Sequence, residues 1–155
     1  LAETDLYASY AFDFGLSLGL TDYYYQGFPM FSYSGDTASH AFELNLGYSI
    51  SNLSVSANYI LNDASLGGPD NKPGGGDMYF EVNYAFDNFV VFVGAGNGWH
   101  TADNDAGEDI FSLCHIGIKT SKELVITDTF SLPVFGLLSV NPNKEELNLV
   151  VGFSF

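Results

Sequence analysis

The chain has 155 residues, 46% hydrophobic and 16% aromatic, with four Lys, no Arg, nineteen acids and a net charge of −15. No basic patch can be assembled from four lysines, which excludes nucleic acid as a partner. Only 15% of residues are charged, too few for an acidic disordered chain, and no apolar run approaches the length of a transmembrane helix.

The length fits one domain, residues 1–155. Abundant Tyr, Phe, Gly, Ser and Asn suit twisted strands and tight turns. No signal peptide opens the sequence; a mature exported protein would have lost one. Cys114 is the one cysteine. It cannot form an internal disulfide, matches no metal spacing and reads as a small strand side chain. No metal or cofactor is expected.

The two-residue period that marks a strand recurs along the chain. Residues 5–12 set Leu6, Ala8, Tyr10 and Phe12 against Asp5, Tyr7, Ser9 and Ala11. After a turn at 13–14, residues 15–25 set Leu16, Leu18 and Leu20 against Gly15, Ser17, Gly19 and Thr21 and end in Tyr23-Tyr-Tyr25. Residues 26–39 carry turn formers and no period, so they read as a long loop. Residues 40–50 place Phe42, Leu44, Leu46, Tyr48 and Ile50 opposite Glu43, Asn45, Gly47 and Ser49. A tight turn at Ser51-Asn52 leads to 53–62, with Leu53, Val55, Ala57, Tyr59 and Leu61 against Ser54, Ser56, Asn58, Ile60 and Asn62. A Gly- and Pro-rich loop occupies 63–76.

Residues 77–86 set Met78, Phe80, Val82, Tyr84 and Phe86 against Tyr79, Glu81, Asn83 and Ala85. Residues 89–99 put Val91, Val93, Ala95 and Trp99 on the apolar face and Gly94, Gly96 and Gly98 on the other, where they admit close packing. An acidic loop follows at 101–109. For 110–126 the favoured phase is Cys114, Ile116, Ile118, Leu124 and Ile126 outward with His115, Gly117, Lys119, Ser121 and Glu123 inward, which needs a bulge near 113. Residues 130–141 contain Pro133, expected to mark an irregular point. The final strand, 145–155, puts Leu147, Leu149, Val151, Phe153 and Phe155 on one face. About nine strands result.

Three regularities turn these strands into a membrane reading. Short connections near 13, 51, 87 and 128 alternate with mostly longer ones, as short periplasmic turns alternate with longer outer loops in outer-membrane barrels. Aromatics sort by level: Tyr10, Phe12, Tyr48, Tyr84, Phe86, Phe89, Phe153 and Phe155 at the short-turn end, and Tyr23 to Tyr25, Tyr59 and Trp99 at the other. Two interfacial girdles around an apolar band are the expectation. The apolar faces of 40–50, 53–61 and 77–86 carry no charge, where a lipid-facing charge at the midplane would cost about 2–4 kcal/mol. The fold expected is all-β: an antiparallel up-and-down transmembrane β-barrel in the bacterial outer membrane. The alternative is a soluble β-barrel or sandwich that binds a ligand, with the same apolar faces turned inward.

The stretches Asp5-Leu-Tyr-Ala-Ser-Tyr-Ala-Phe, Gly15-Leu-Ser-Leu-Gly-Leu-Thr-Asp-Tyr-Tyr-Tyr, and Ser121 to Gly136 through Asn141-Pro-Asn to Phe155 resemble uncharacterised porin-like outer-membrane barrels of Bacteroidota. The resemblance covers nearly the whole chain. It implies a barrel and a passive pore, and supplies no catalytic residue. The terminal Phe155, with Phe153 before it, is similar to the C-terminal signal that the barrel-assembly machinery reads. An odd strand count conflicts with the even number of single-chain bacterial barrels. The expectation is therefore an N-terminally truncated part of a barrel of about ten to twelve strands.

The inward polar set is Glu43, Asn45, Asn58, Glu81, Asn83, Lys119, Glu123, Glu146 and Asn148. These residues line either a narrow acidic lumen that favours cations or an interior plug in which Lys119 pairs with a glutamate. Partners are then outer-membrane lipid and lipopolysaccharide. A membrane-embedded lipid-modifying enzyme would need His40, His100 or His115 near a serine, and no Gly-x-Ser-x-Gly elbow is present. The oxygen-rich loop Asp103–Asp109 does not match EF-hand spacing and reads as a solvated acidic loop. Calcium bridging it to lipopolysaccharide is the minor alternative.

Overall fold

The computed structural model describes residues 3–26, 29–33, 37–63, 74–103 and 107–153. Nine strands form one antiparallel sheet: β1 (Glu3–Ala11), β2 (Leu16–Tyr25), β3 (His40–Ile50), β4 (Leu53–Ile60), β5 (Met78–Ala85), β6 (Val90–Gly96), β7 (Ser112–Thr127), β8 (Phe130–Asn141) and β9 (Glu146–Phe153). Each pairs with its chain neighbours, in the order β1 to β9, so β1 and β9 are the two edges of the sheet. The short turns follow local chemistry. Gly15 holds φ +96 while the Phe12 N–H donates to the Leu16 carbonyl at 2.8 Å, a backbone conformation that favours glycine.

Register carries the alternation across the whole sheet. Leu16, Tyr48, Val55, Val82, Val93, Ile116, Val140 and Leu147 stand side by side from β2 to β9. A parallel row runs Ile50, Leu53, Tyr84, Val91, Ile118, Leu138 and Leu149. The opposite face carries the row Ser17, Gly47, Ser56, Glu81, Gly94 and His115. A one-residue slip in any pair would interrupt both kinds of row.

The sheet curls so that the polar face is concave. Side chains from β5, β7 and β9 line one cavity, and the Tyr25 ring of β2 lies 6.3 Å from Trp99, beyond the end of β6. The apolar face is convex and uncovered: Val55, Val82, Val93 and Ile116 are each 38–43% exposed. The buried hydrophobic cluster is small, Tyr25, Ala41 and Ile60 with Tyr23 and Trp99 against it. Apolar residues outside and a polar interior invert the usual distribution.

Four details depart from the sequence reading. β4 stops at Ile60 rather than 62, because the Asn62 side chain takes over the ladder, accepting from Phe42 N–H and donating to the His40 carbonyl, both at 2.8 Å. β6 stops at Gly96, where the Asn97 side chain accepts the Met78 N–H at 2.8 Å and a 3₁₀ turn, Gly98–His100, begins. Trp99, expected in the outward girdle, therefore stands on the concave side. The bulge near 113 is present, since Gly94 pairs His115 while Ala95 pairs Leu113. It skips Cys114, which is buried and lines the concave cavity instead of facing outward. Pro133 pairs Glu123 in register; the irregularity of that hairpin lies between Val125 and Thr127.

Candidate functional site

The concave face is built from the short-period polar positions of β2 to β9, and it divides into two basins. On the β1–β3 side, a cavity of about 300 Å³ is lined by Glu3, Tyr23, Tyr25, Glu43, Trp99 and His100. The Tyr23 hydroxyl donates to Glu43 Oε1 at 3.0 Å, and Asn45 Nδ2 donates to the same oxygen at 2.6 Å and to Asn58 Oδ1 at 3.2 Å. Thr21 closes the chain with a 2.8 Å bond to Asn45. Glu43, Asn45 and Asn58 are thus one network, as their shared face predicts. Its carboxylate is held by neutral donors, not by a cation.

On the β5–β9 side, a cavity of about 420 Å³ is lined by Tyr79, Glu81, Cys114, His115, Asn141, Lys144, Glu146 and Asn148, again with Trp99 and His100. Tyr79 is its hub. Its hydroxyl donates to Glu81 Oε2 and sits 2.9 Å from His115 Nδ1, while Asn83 donates to Glu81 Oε1 at 3.0 Å. Because the Tyr79 proton goes to Glu81, the phenol oxygen is the acceptor for the imidazole N–H. His115 Nδ1 also lies 3.4 Å from Glu81 Oε2.

The 3₁₀ turn separates the basins. Its Trp99 N–H donates to Asp77 Oδ2 at 2.9 Å. Lys144 Nζ reaches the Trp99 carbonyl at 3.2 Å and Asn141 Nδ2 the His100 carbonyl at 3.1 Å. His100 lies against the Tyr79 ring at 4.7 Å. Burial first, then the charges of Lys144 and His115, hold the His100 imidazole below its ordinary pKa. Burial raises the Asp77 carboxyl, partly offset by the Trp99 N–H bond, with Asp109 and Asp63 raising it further.

Two expected lumen residues lie away from both basins. Lys119 borders the β5–β6 turn, with Phe86, Asp87 and Phe89, and Glu123 pairs Pro133 on the exposed part of β7. Close carboxylate–imidazole contacts among the described residues include Asp22–His40 and Glu81–His115; Lys119 belongs to neither. Tyr79, Tyr23, Trp99, Cys114 and Lys144 belong to the basins without having been in the expected lumen set. Gly94 and Gly96 on the other face of β6 were the legible signal, since they admit close packing, and the Tyr79 ring lies against Gly94.

Tyr10, Tyr48, Tyr59, Tyr84 and Phe153 are exposed. Tyr10 packs edge-on against Phe12 at 4.8 Å, and Tyr84 packs on Phe86 at 4.9 Å, beside two of the short turns. Phe155 lies outside the described residues, as do residues 104–106 of the acidic loop. At the opposite end, His40 Nδ1 contacts the Asp22 carboxylate at 2.8 Å and Nε2 faces the Met30 carbonyl at 2.7 Å. The Ser39 hydroxyl donates to Pro29, 2.6 Å away. That serine is thus engaged by the loop, and the second imidazole nitrogen by a carbonyl, so the three residues do not form a nucleophile relay. No protein-family model, curated protein or solved structure matches the chain.

Proposed function

We propose that the sheet forms the wall of an outer-membrane β-barrel whose role is a narrow, passive, cation-preferring channel for small solutes. The supporting observation is the pair of uninterrupted apolar rows on the exposed convex face. In water such a face would be a very large apolar patch; in lipid it is the required surface. The unpaired edges of β1 and β9 cannot stay open in a bilayer, where every backbone polar group needs a partner. A closed barrel pairs both edges. Lipid and lipopolysaccharide contact the convex face, and the barrel-assembly machinery inserts it.

The test is single-channel recording in planar bilayers with a KCl gradient. Steady cation-selective steps are expected, with selectivity reduced in Glu43→Gln and Glu81→Gln. An inserted barrel that never conducts would refute the channel. The Gly98–His100 turn favours one second reading, a barrel with a closed interior and a structural role, which that silence would support.

A further inference from the structure

We infer that the Gly98–His100 turn is the constriction of this channel and that the Trp99 ring sets the size of the cation that passes. The inference rests on the channel reading above. Strands β2 and β6 are four spacings apart along the sheet, roughly 19 Å at about 4.8 Å per strand. Yet the Trp99 ring, just past β6, meets the Tyr25 ring of β2 at 6.3 Å and an interplanar angle of 86°. The same turn is held from the other side by Asn141 and Lys144, at the β8–β9 connection. A segment tied to both flanks of a curved sheet crosses the hollow instead of following the wall.

The turn is also built to hold its shape. Gly98 has φ +55, and a Cβ there would overlap the Asp77 carboxylate that accepts the Trp99 N–H. Both basins end on Trp99 and His100. Carboxylates stand on either side, Glu3 and Glu43 in one basin and Glu81 and Glu146 in the other. The indole stands in the hollow between these two walls, where its face attracts a passing cation weakly and its bulk excludes large ones.

The experiment compares wild type, Trp99→Ala and the milder Trp99→Leu in planar bilayers, in KCl and then in tetraethylammonium chloride. Folding and insertion are verified by heat-modifiable gel mobility. Unitary K⁺ conductance is expected to rise in the order wild type, Leu, Ala, by at least about twofold for Ala, and tetraethylammonium is expected to pass only the Ala variant. A silent wild type beside conducting variants overturns both the channel and the constriction, since the turn then seals the barrel instead of sizing a passing cation. A conducting wild type matched by both variants overturns the constriction and leaves the channel standing. Silence of all three inserted proteins overturns both. If Trp99→Ala fails to insert, Trp99→Leu alone decides.

Discussion

Gly94 and Gly117 are packing positions. An added Cβ at 94 would run into the Tyr79 ring, and one at 117 into the Phe92 ring. Gly136 is different, since its Cβ would meet nothing closer than Thr120 Cγ2 at 4.0 Å. Gly94→Ala and Gly117→Ala are expected to destabilise by about 1–3 kcal/mol, the cost of overpacking, and Gly136→Ala by less. Urea midpoints in phospholipid vesicles measure the difference. His100 carries a pH dependence. Its folded-state pKa lies below the unfolded value, so the unfolded chain binds the proton first and stability falls as pH drops. The loss begins near the unfolded value of about 6.5 and is complete below the folded pKa. The groups facing it are Tyr79, Lys144 and His115, with Glu81 and Glu146 in the same cavity. His100→Gln is expected to flatten the urea midpoint between pH 7.5 and 5 relative to wild type; an unchanged profile would show that His100 is not the source. At this scale the glycines of β6 were readable as places of close packing. Which ring fills them depends on cross-strand register, since Tyr79 reaches Gly94 from the neighbouring strand.

Among the elements, the strands are specified by side-chain period, and the period also predicts which substitutions hurt. Leu46 stands between Leu18 and Ala57 on the convex face, whereas Ser56 stands beside Glu81 on the concave face. Leu46→Lys is expected to weaken folding into vesicles by about 2–4 kcal/mol and Ser56→Lys by much less. Equal effects would mean that the convex face does not meet lipid. All nine strands were legible because each alternates over several residues. The phase of β7 was only partly so. A bulge inserts one residue and the alternation resumes in either phase, so periodicity locates it within a residue or two and does not say which side chain is turned inward. Here that side chain is Cys114.

At the level of the whole molecule, the one tryptophan is a reporter of sidedness. Trp99 packs inside, against the Tyr25 ring and its buried cluster, so brominated acyl chains should leave its fluorescence nearly unchanged. Tyr59→Trp in a Trp99→Phe background places an indole on the convex face, where Tyr59 is 43% exposed, and strong quenching is expected. Equal quenching of the two would place Trp99 in the girdle after all. The edge strands supply a second expectation. β1 is exposed along its whole length and pairs on one side only, so the nine strands by themselves should aggregate through their edges. Light scattering after refolding into detergent measures it.

Strand number, strand order and the polarity of each face came from the sequence alone, because a period of two and a turn of a few residues are local properties. Neighbour pairing follows from connection length where the turns are short, as between β3 and β4 or β7 and β8. The networks Thr21–Asn45–Asn58 and Tyr79–Glu81–Asn83 extend that same local logic across adjacent strands. Only the tertiary structure decided that the chain leaves the sheet at Asn97, turns inward and lodges Trp99 against Tyr25. The cause is a set of contacts far apart in the chain: the Asp77 carboxylate behind the turn, Lys144 and Asn141 on one flank and an aromatic ring on the other. No periodicity records them, since each belongs to a different strand end and they meet only when the sheet curls.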